Sequence, residues 1–270
     1  MTAFRGFIAE LALVLALAAG LGHFTRAEAG VITWSGNTWD HSAFGGSAAS
    51  AGWQAGMQGG TTTDGAGVTM TMQHTRFGTA AAGAGNMNLQ AFGGLGSYLM
   101  WSATNDYTGG NANNAPKNYG TVTLAFNTTV AVTGFGLRDV DDGTGTSWQD
   151  FVSVSASNGG TNVGVTYNRS DTTNQQLSTY RGMSGVLGVN DVNRNNDPIA
   201  DLGFTFAGGL TTMTITYLQG PDGSDATLHY VFLMNLTVTP VPEASTLTLV
   251  GLAGAFGGFV HWRRKRRSAV

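Results

Sequence analysis

Gly120-Thr-Val-Thr-Leu-Ala-Phe126 is the stretch whose reading decides the fold. Val122, Leu124 and Phe126 alternate with Thr121, Thr123 and Ala125, so an extended chain here has one apolar side and one small or hydroxylic side. A period of two marks a half-buried β-strand. The alternation recurs downstream. Val152, Val154 and Ala156 stand against Ser153, Ser155 and Ser157, and Val163-Val165-Tyr167, Leu202-Phe204-Phe206 and Met213-Ile215-Tyr217 repeat it. Tyr230, Phe232, Met234, Leu236 and Val238 close the series. Because Val231 and Leu233 are apolar too, the run 228–238 is expected to be one central strand. Upstream, Val31-Ile-Thr-Trp34, Val68-Thr-Met-Thr-Met72 and Tyr98-Leu-Met-Trp101 read as strands. The Gly/Ala/Ser/Asn-rich stretches 42–67, 78–96 and 108–115 read as long surface loops or mobile segments. With no amphipathic helical period among these strands, the body is predicted to be all-β, an antiparallel β-sandwich of jelly-roll-like architecture.

Composition narrows the chemistry. Between Gly30 and Val241 six cations face thirteen aspartates and no glutamate, a net charge of −7 against −3 for the whole chain. Aspartate favours turns and cation ligation over helices. So acidic a body argues against nucleic acid as a partner. The absence of cysteine excludes disulfides and thiol chemistry.

Both ends carry transport features. Residues 1–29 read as a secretory signal peptide: Arg5 precedes the apolar core Leu11–Ala19, and Ala27-Glu28-Ala29 supplies small residues at a cleavage site. At the other end Pro240 and Pro242 stop the last strand, since neither can donate a ladder hydrogen bond. Pro242-Glu243-Ala244 is followed by an apolar segment, 246–262, and by the cations Arg263, Arg264, Lys265, Arg266 and Arg267. Its uncharged part, 246–260, spans roughly 22 Å as a helix against a hydrocarbon core of about 30 Å, which makes a short transmembrane anchor. The cations hold the C-terminus on the cytoplasmic side.

This ordered triple resembles the PEP-CTERM sorting signal of Gram-negative bacteria, over about a tenth of the chain. Ala244 stands where the family motif usually has a second proline. The resemblance implies recognition by an exosortase-like membrane transpeptidase. The chain would be anchored transiently in the inner membrane, then delivered to the cell surface or beyond, in association with exopolysaccharide or biofilm. The chain then divides into a leader (1–29), a β-sandwich ectodomain (30–240, its part 30–116 the less readable) and a sorting signal (241–267).

Two acidic segments are candidate calcium sites. In Asp139-Val-Asp141-Asp142-Gly143-Thr-Gly-Thr-Ser-Trp148-Gln-Asp150, the carboxylates of Asp139, Asp141 and Asp150 fall at relative positions 1, 3 and 12 of a glycine-bearing loop between two strands. Such a loop suits a hard cation such as Ca²⁺, and equally a solvated hairpin turn. Asp191, Asn193, Asn195 and Asp197 imitate the first ligands of a second calcium loop. Trp148, beside the first acidic loop, is the candidate for stacking on a sugar ring. Trp34, Trp39, Trp53 and Trp101 offer the same chemistry or fill the core. The aspartate-bearing hairpins also look like those of bacterial surface β-sandwich ectodomains.

Catalytic motifs are missing: there is no Gly-x-Ser-x-Gly, His-Glu-x-x-His or P-loop. The body's histidines, His41, His74 and His229, show no metal-ligand spacing. The sequence therefore points to a non-enzymatic, exported surface or extracellular-matrix protein. A calcium-dependent carbohydrate-binding or adhesin module is the alternative, and a secreted polysaccharide hydrolase, which needs only two placed carboxylates, a further one.

Overall fold

The computed structural model describes residues 28–77, 87–92, 96–104, 119–142, 149–189, 200–221, 228–241 and Gly258. Its strands run in chain order as β1 (Gly30–Ile32), β2 (Thr38–Asp40), β3 (Ser50–Ala51), β4 (Gly59–Thr63), β5 (Thr69–Phe77), β6 (Met87–Phe92), β7 (Gly96–Thr104), β8 (Tyr119–Thr133) and β9 (Gly136–Arg138). The second half adds β10 (Asp150–Asn158), β11 (Thr161–Val163), β12 (Val165–Arg169), β13 (Gln175–Tyr180), β14 (Met183–Gly188), β15 (Leu202–Phe206), β16 (Leu210–Gln219), β17 (Leu228–Leu233) and β18 (Leu236–Pro240). One 3-10 turn, Ser42–Phe44, is the only helical element among the named ones.

Two antiparallel sheets result. The larger, of twelve strands, follows the order β13-β14-β10-β16-β8-β5-β4-β2-β3, with β18 on β8, β1 on β18 and β11 on β10. The smaller has six, β12-β15-β9-β17-β7-β6. The alternating residues dictate how they meet. Met70 and Met72 of β5, Val122 and Leu124 of β8, and Met213, Ile215 and Tyr217 of β16 turn inward from the large sheet. Leu99 and Trp101 of β7, Leu137 of β9, Leu202 and Phe204 of β15, and Val231 and Leu233 of β17 meet them from the small one. Trp101 lies edge-on to Tyr217 across the interface, ring centroids 5.3 Å apart. This is the sandwich that the alternation predicts, and each large buried side chain contributes about 1.5–3 kcal/mol.

The run 228–238 is not one strand. It breaks at Met234-Asn235 into β17 in the small sheet and β18 in the large one. The corner is made by hydrogen bonds that a continuous strand cannot supply. Met234 N–H donates to Gly136 O (3.0 Å). The Trp34 indole N–H donates to Met234 O (3.0 Å), and Trp34 N–H donates to the Asn235 side-chain oxygen (3.2 Å).

Nor is 42–67 a surface loop. It holds the 3-10 turn, β3 and β4. Two of its glycines lie against aromatic rings: Gly59 against Phe44, and Gly60 where a β-carbon would stand 2.6 Å from His41 Nδ1. Residues 87–92, within the predicted loop 78–96, form β6 on β7. The stretch 108–115 lies outside the described residues.

Candidate functional site

The predicted acidic hairpin is the most heavily charged buried place among the described residues. β9 ends at Arg138, and the next residue, Asp139, takes a left-handed conformation at φ 67° that aspartate tolerates better than most. That turn carries Val140 into the core and sends Asp141 towards the start of β10. Asp141 N–H donates to Asp150 Oδ2 (3.2 Å), and Asp150 N–H donates to Asp141 O (2.9 Å). Tyr217, reaching in from β16, donates its hydroxyl to Asp150 Oδ1 (2.7 Å). Asp139, Asp141 and Asp150 are all buried. The structure thus brings the three predicted carboxylates into one dry knot.

Its walls are tight. The backbone of Gly188, at the end of β14, lies so close to Asp141 that any β-carbon there would collide with the Asp141 carbonyl. Gln149 donates its amide to Gly188 O (2.8 Å), and Gln175 donates to Ala200 O (2.9 Å) and Val140 O (3.2 Å). Beside the knot, Arg138 makes a two-pronged bond to Asp201, both contacts 2.9 Å, and lies over the Tyr98 ring at 4.9 Å. A bidentate, shielded pair of this kind fixes geometry as well as charge.

Electrostatics follow from burial. Loss of water, then the charge of Asp141, pushes the Asp139 carboxyl up to about 7, with Arg138 partly opposing. Burial and Asp141 likewise raise Asp150 well above the ordinary carboxylate range, against the hydrogen bond from Tyr217. Burial and the Asp150 charge raise the Tyr217 phenol in turn. A knot of this kind holds protons near neutral pH. Among the described residues, no group of three or more His, Asp or Glu side chains is placed to hold a metal ion.

The other predicted site residues divide cleanly. Trp148, the second calcium loop (Asp191, Asn193, Asn195, Asp197), the motif Pro242-Glu243-Ala244, the span 246–262 save Gly258, and the cations 263–267 lie outside the described residues. So does the leader, save Glu28 and Ala29. Among the described residues no helix is long and apolar enough to cross a membrane.

The stacking expectation fails for Trp34, Trp39, Trp53 and Trp101, all of which are buried. Trp34 and Trp39 stack at 5.4 Å and Trp53 meets Trp39 edge-on at 5.0 Å, so their faces are used against one another. His41 and His74 are interior bracing. Gln54 N–H donates to His41 Nε2 (3.1 Å), which leaves Nδ1–H to donate to Gly59 O (2.7 Å). The Trp101 indole donates to His74 Nε2 (3.1 Å), so His74 Nδ1–H donates to Gln58 (2.9 Å).

Sequence reasoning missed Tyr217, Gln175, Gly188 and the Arg138–Asp201 pair. Tyr217 carried a usable signal, since a phenol at a core position of a strand needs a polar partner.

A second feature is extended. On the outer side of the large sheet, Ser155, Thr214, Thr123 and Gln73 stand side by side on four neighbouring strands, as do Ser153, Thr216, Thr121 and Thr75. Thr71 and Thr61 continue the array onto β4. Hydroxyls pair along it, Thr123 with Thr214 at 3.2 Å and Thr61 with Thr71 at 3.1 Å. None of these positions carries a charge.

Comparison with known proteins locates the sorting feature. Residues 240–267 match the family model for the PEP-CTERM protein-sorting motif. No curated protein and no solved structure matches the chain. The motif indicates export, a membrane-anchored sorting signal at the C-terminus and processing by an exosortase-type enzyme.

Proposed function

Since the chain bears a PEP-CTERM sorting motif at its C-terminus, we propose that it is a non-enzymatic component of the cell surface or extracellular matrix that associates with exopolysaccharide. The carrying observation is the hydroxyl array. An uncharged field of Ser, Thr and Gln on a body of net charge −7 suits a neutral polyhydroxylated polymer, which can trade hydrogen bonds with it across several strands. The test is co-sedimentation of the mature chain with exopolysaccharide isolated from the native host. Thr71→Glu and Thr123→Glu together should abolish binding while the melting temperature falls only slightly, because these side chains lie on the outer side of the sheet and are not cross-strand partners of one another. Unchanged binding by the double variant refutes the reading.

A second reading, calcium-dependent carbohydrate binding at Asp139, Asp141 and Asp150, draws on the acidic knot. Carboxylates that retain protons near pH 7 are groups from which a divalent cation can displace those protons. Against it, both oxygens of Asp150 already accept protein hydrogen bonds. Calorimetric titration with CaCl₂ at pH 8 decides: heat that vanishes in Asp139→Ala plus Asp141→Ala supports the reading, and no heat in the unaltered chain ends it.

A further inference from the structure

The first and last strands of the body are neighbours. β1 pairs with β18 in the register Gly30↔Val238, Val31↔Thr237, Ile32↔Leu236. β18 pairs on its other side with β8, from Thr237↔Thr133 to Pro240↔Val130, and Val241 N–H donates to Thr129 O (2.9 Å). The strands are antiparallel, so the start of β1 lies beside the end of β18. The chain therefore enters and leaves the sheet at one place. That place is a notch along β8, between the end of β18 and the start of β5, which pairs with β8 from Met70↔Phe126 onward.

Two further facts define the notch. The matched motif begins at residue 240, which is the last residue of β18, so the paired sheet and the sorting signal have no spacer between them. The notch is also lined by small residues. Gly30 lies against Asp64 in the β4–β5 turn, and Gly209 against Thr129 and Val241. The carboxylate of Asp64 is buried and turned inward, its Oδ1 accepting from Ala66 N–H (2.9 Å) and Val68 N–H (2.8 Å).

We infer that the sorting enzyme receives this chain with β18 still paired to β1 and β8. The inference rests on the sorting motif and not on the polysaccharide reading. Tail removal then takes place on a closed body, and the strand that precedes the motif stays in the sheet after the tail has gone.

The cysteine-free chain makes the test clean. Val31→Cys with Thr237→Cys joins β1 to β18, and Thr133→Cys with Thr237→Cys, which joins β8 to β18, checks that the body folds. Both are expressed in the native host with and without its sorting enzyme, and disulfide formation and tail removal are followed on non-reducing gels and by intact mass. The expected result is a disulfide in both variants while the tail is retained. When the enzyme is restored, the tail should be lost from the oxidised Val31→Cys/Thr237→Cys chain at a rate within about twofold of the unaltered chain. A disulfide between residues 133 and 237 without one between 31 and 237 in the retained form overturns the pairing of the ends. Failure of both to form overturns it equally. An oxidised chain that keeps its tail shows that β18 must leave the sheet to be cut, which overturns tail removal on a closed body. If the unaltered chain keeps its tail with the enzyme present, the sorting reading itself fails, and the inference with it.

Discussion

Asp139 binds its proton as part of the fold. Burial, reinforced by Asp141, holds that carboxyl at about 7, whereas an aspartate in an unfolded chain titrates near 3.9. The folded state therefore takes up the proton more readily than the unfolded one. The associated stability is complete below about pH 4 and is lost as pH rises through about 7. Asp150, raised in the same direction, adds to the slope. Scanning calorimetry of the mature chain should find a higher melting temperature at pH 4.5 than at pH 8. Asp139→Asn should remove much of the difference by stabilising the pH 8 form, by at most on the order of 4 kcal/mol. A melting temperature that is flat, or that rises with pH, contradicts the described knot. The spacing of the three aspartates was legible in the sequence, as was their place at the β9–β10 connection. What spacing could not show is that they converge in a dry place. That depends on Tyr217 and Gly188, which come from strands more than thirty residues away.

At the scale of the element, alternation was a dependable guide where one side of a strand meets the core, as at 119–126 and 150–157. It failed in two ways with distinct causes. β4, Gly-Gly-Thr-Thr-Thr, shows no apolar side, because the rings that bury it belong to Phe44, His41 and Trp39 and leave no room for side chains of its own. The run 228–238, apolar at nearly every position from 230 to 234, read as one central strand, yet it changes sheet midway. The decision there is made by Asn235 and Trp34, two hundred residues apart in the chain. Asn235→Ala should therefore weaken the corner by about 1–2 kcal/mol, since Trp34 N–H loses its acceptor in a half-buried setting. Urea denaturation followed by tryptophan fluorescence measures this, and an unchanged midpoint would show that the corner holds without that bond.

For the molecule as a whole, β1 is a three-residue cover on the exposed side of β18. Short edge strands of this kind protect a sheet from pairing with other chains. Deleting residues 30–32 should expose β18 and yield dimers or larger species in sedimentation velocity, whereas the intact mature chain sediments as one small species at the same concentration. A deletion variant that stays monomeric would show that something other than β1 guards that edge. Sandwich class, export and the sorting tail were all readable from residue patterns, because each depends on local order along the chain. The adjacency of the two ends was not, because three residues at one end and five at the other carry too little pattern to announce a partner.

Adjacency of first and last strands also sets a clock. A chain translocated from its N-terminus delivers residues 30–32 at the beginning and residues 236–240 at the finish, and pairing across so long a loop is slow to nucleate. Among the described strands β1 pairs only with β18, so this seam of the sheet stays open until β18 has emerged. Sealing of this edge is thereby postponed until residues 236–240 are in place.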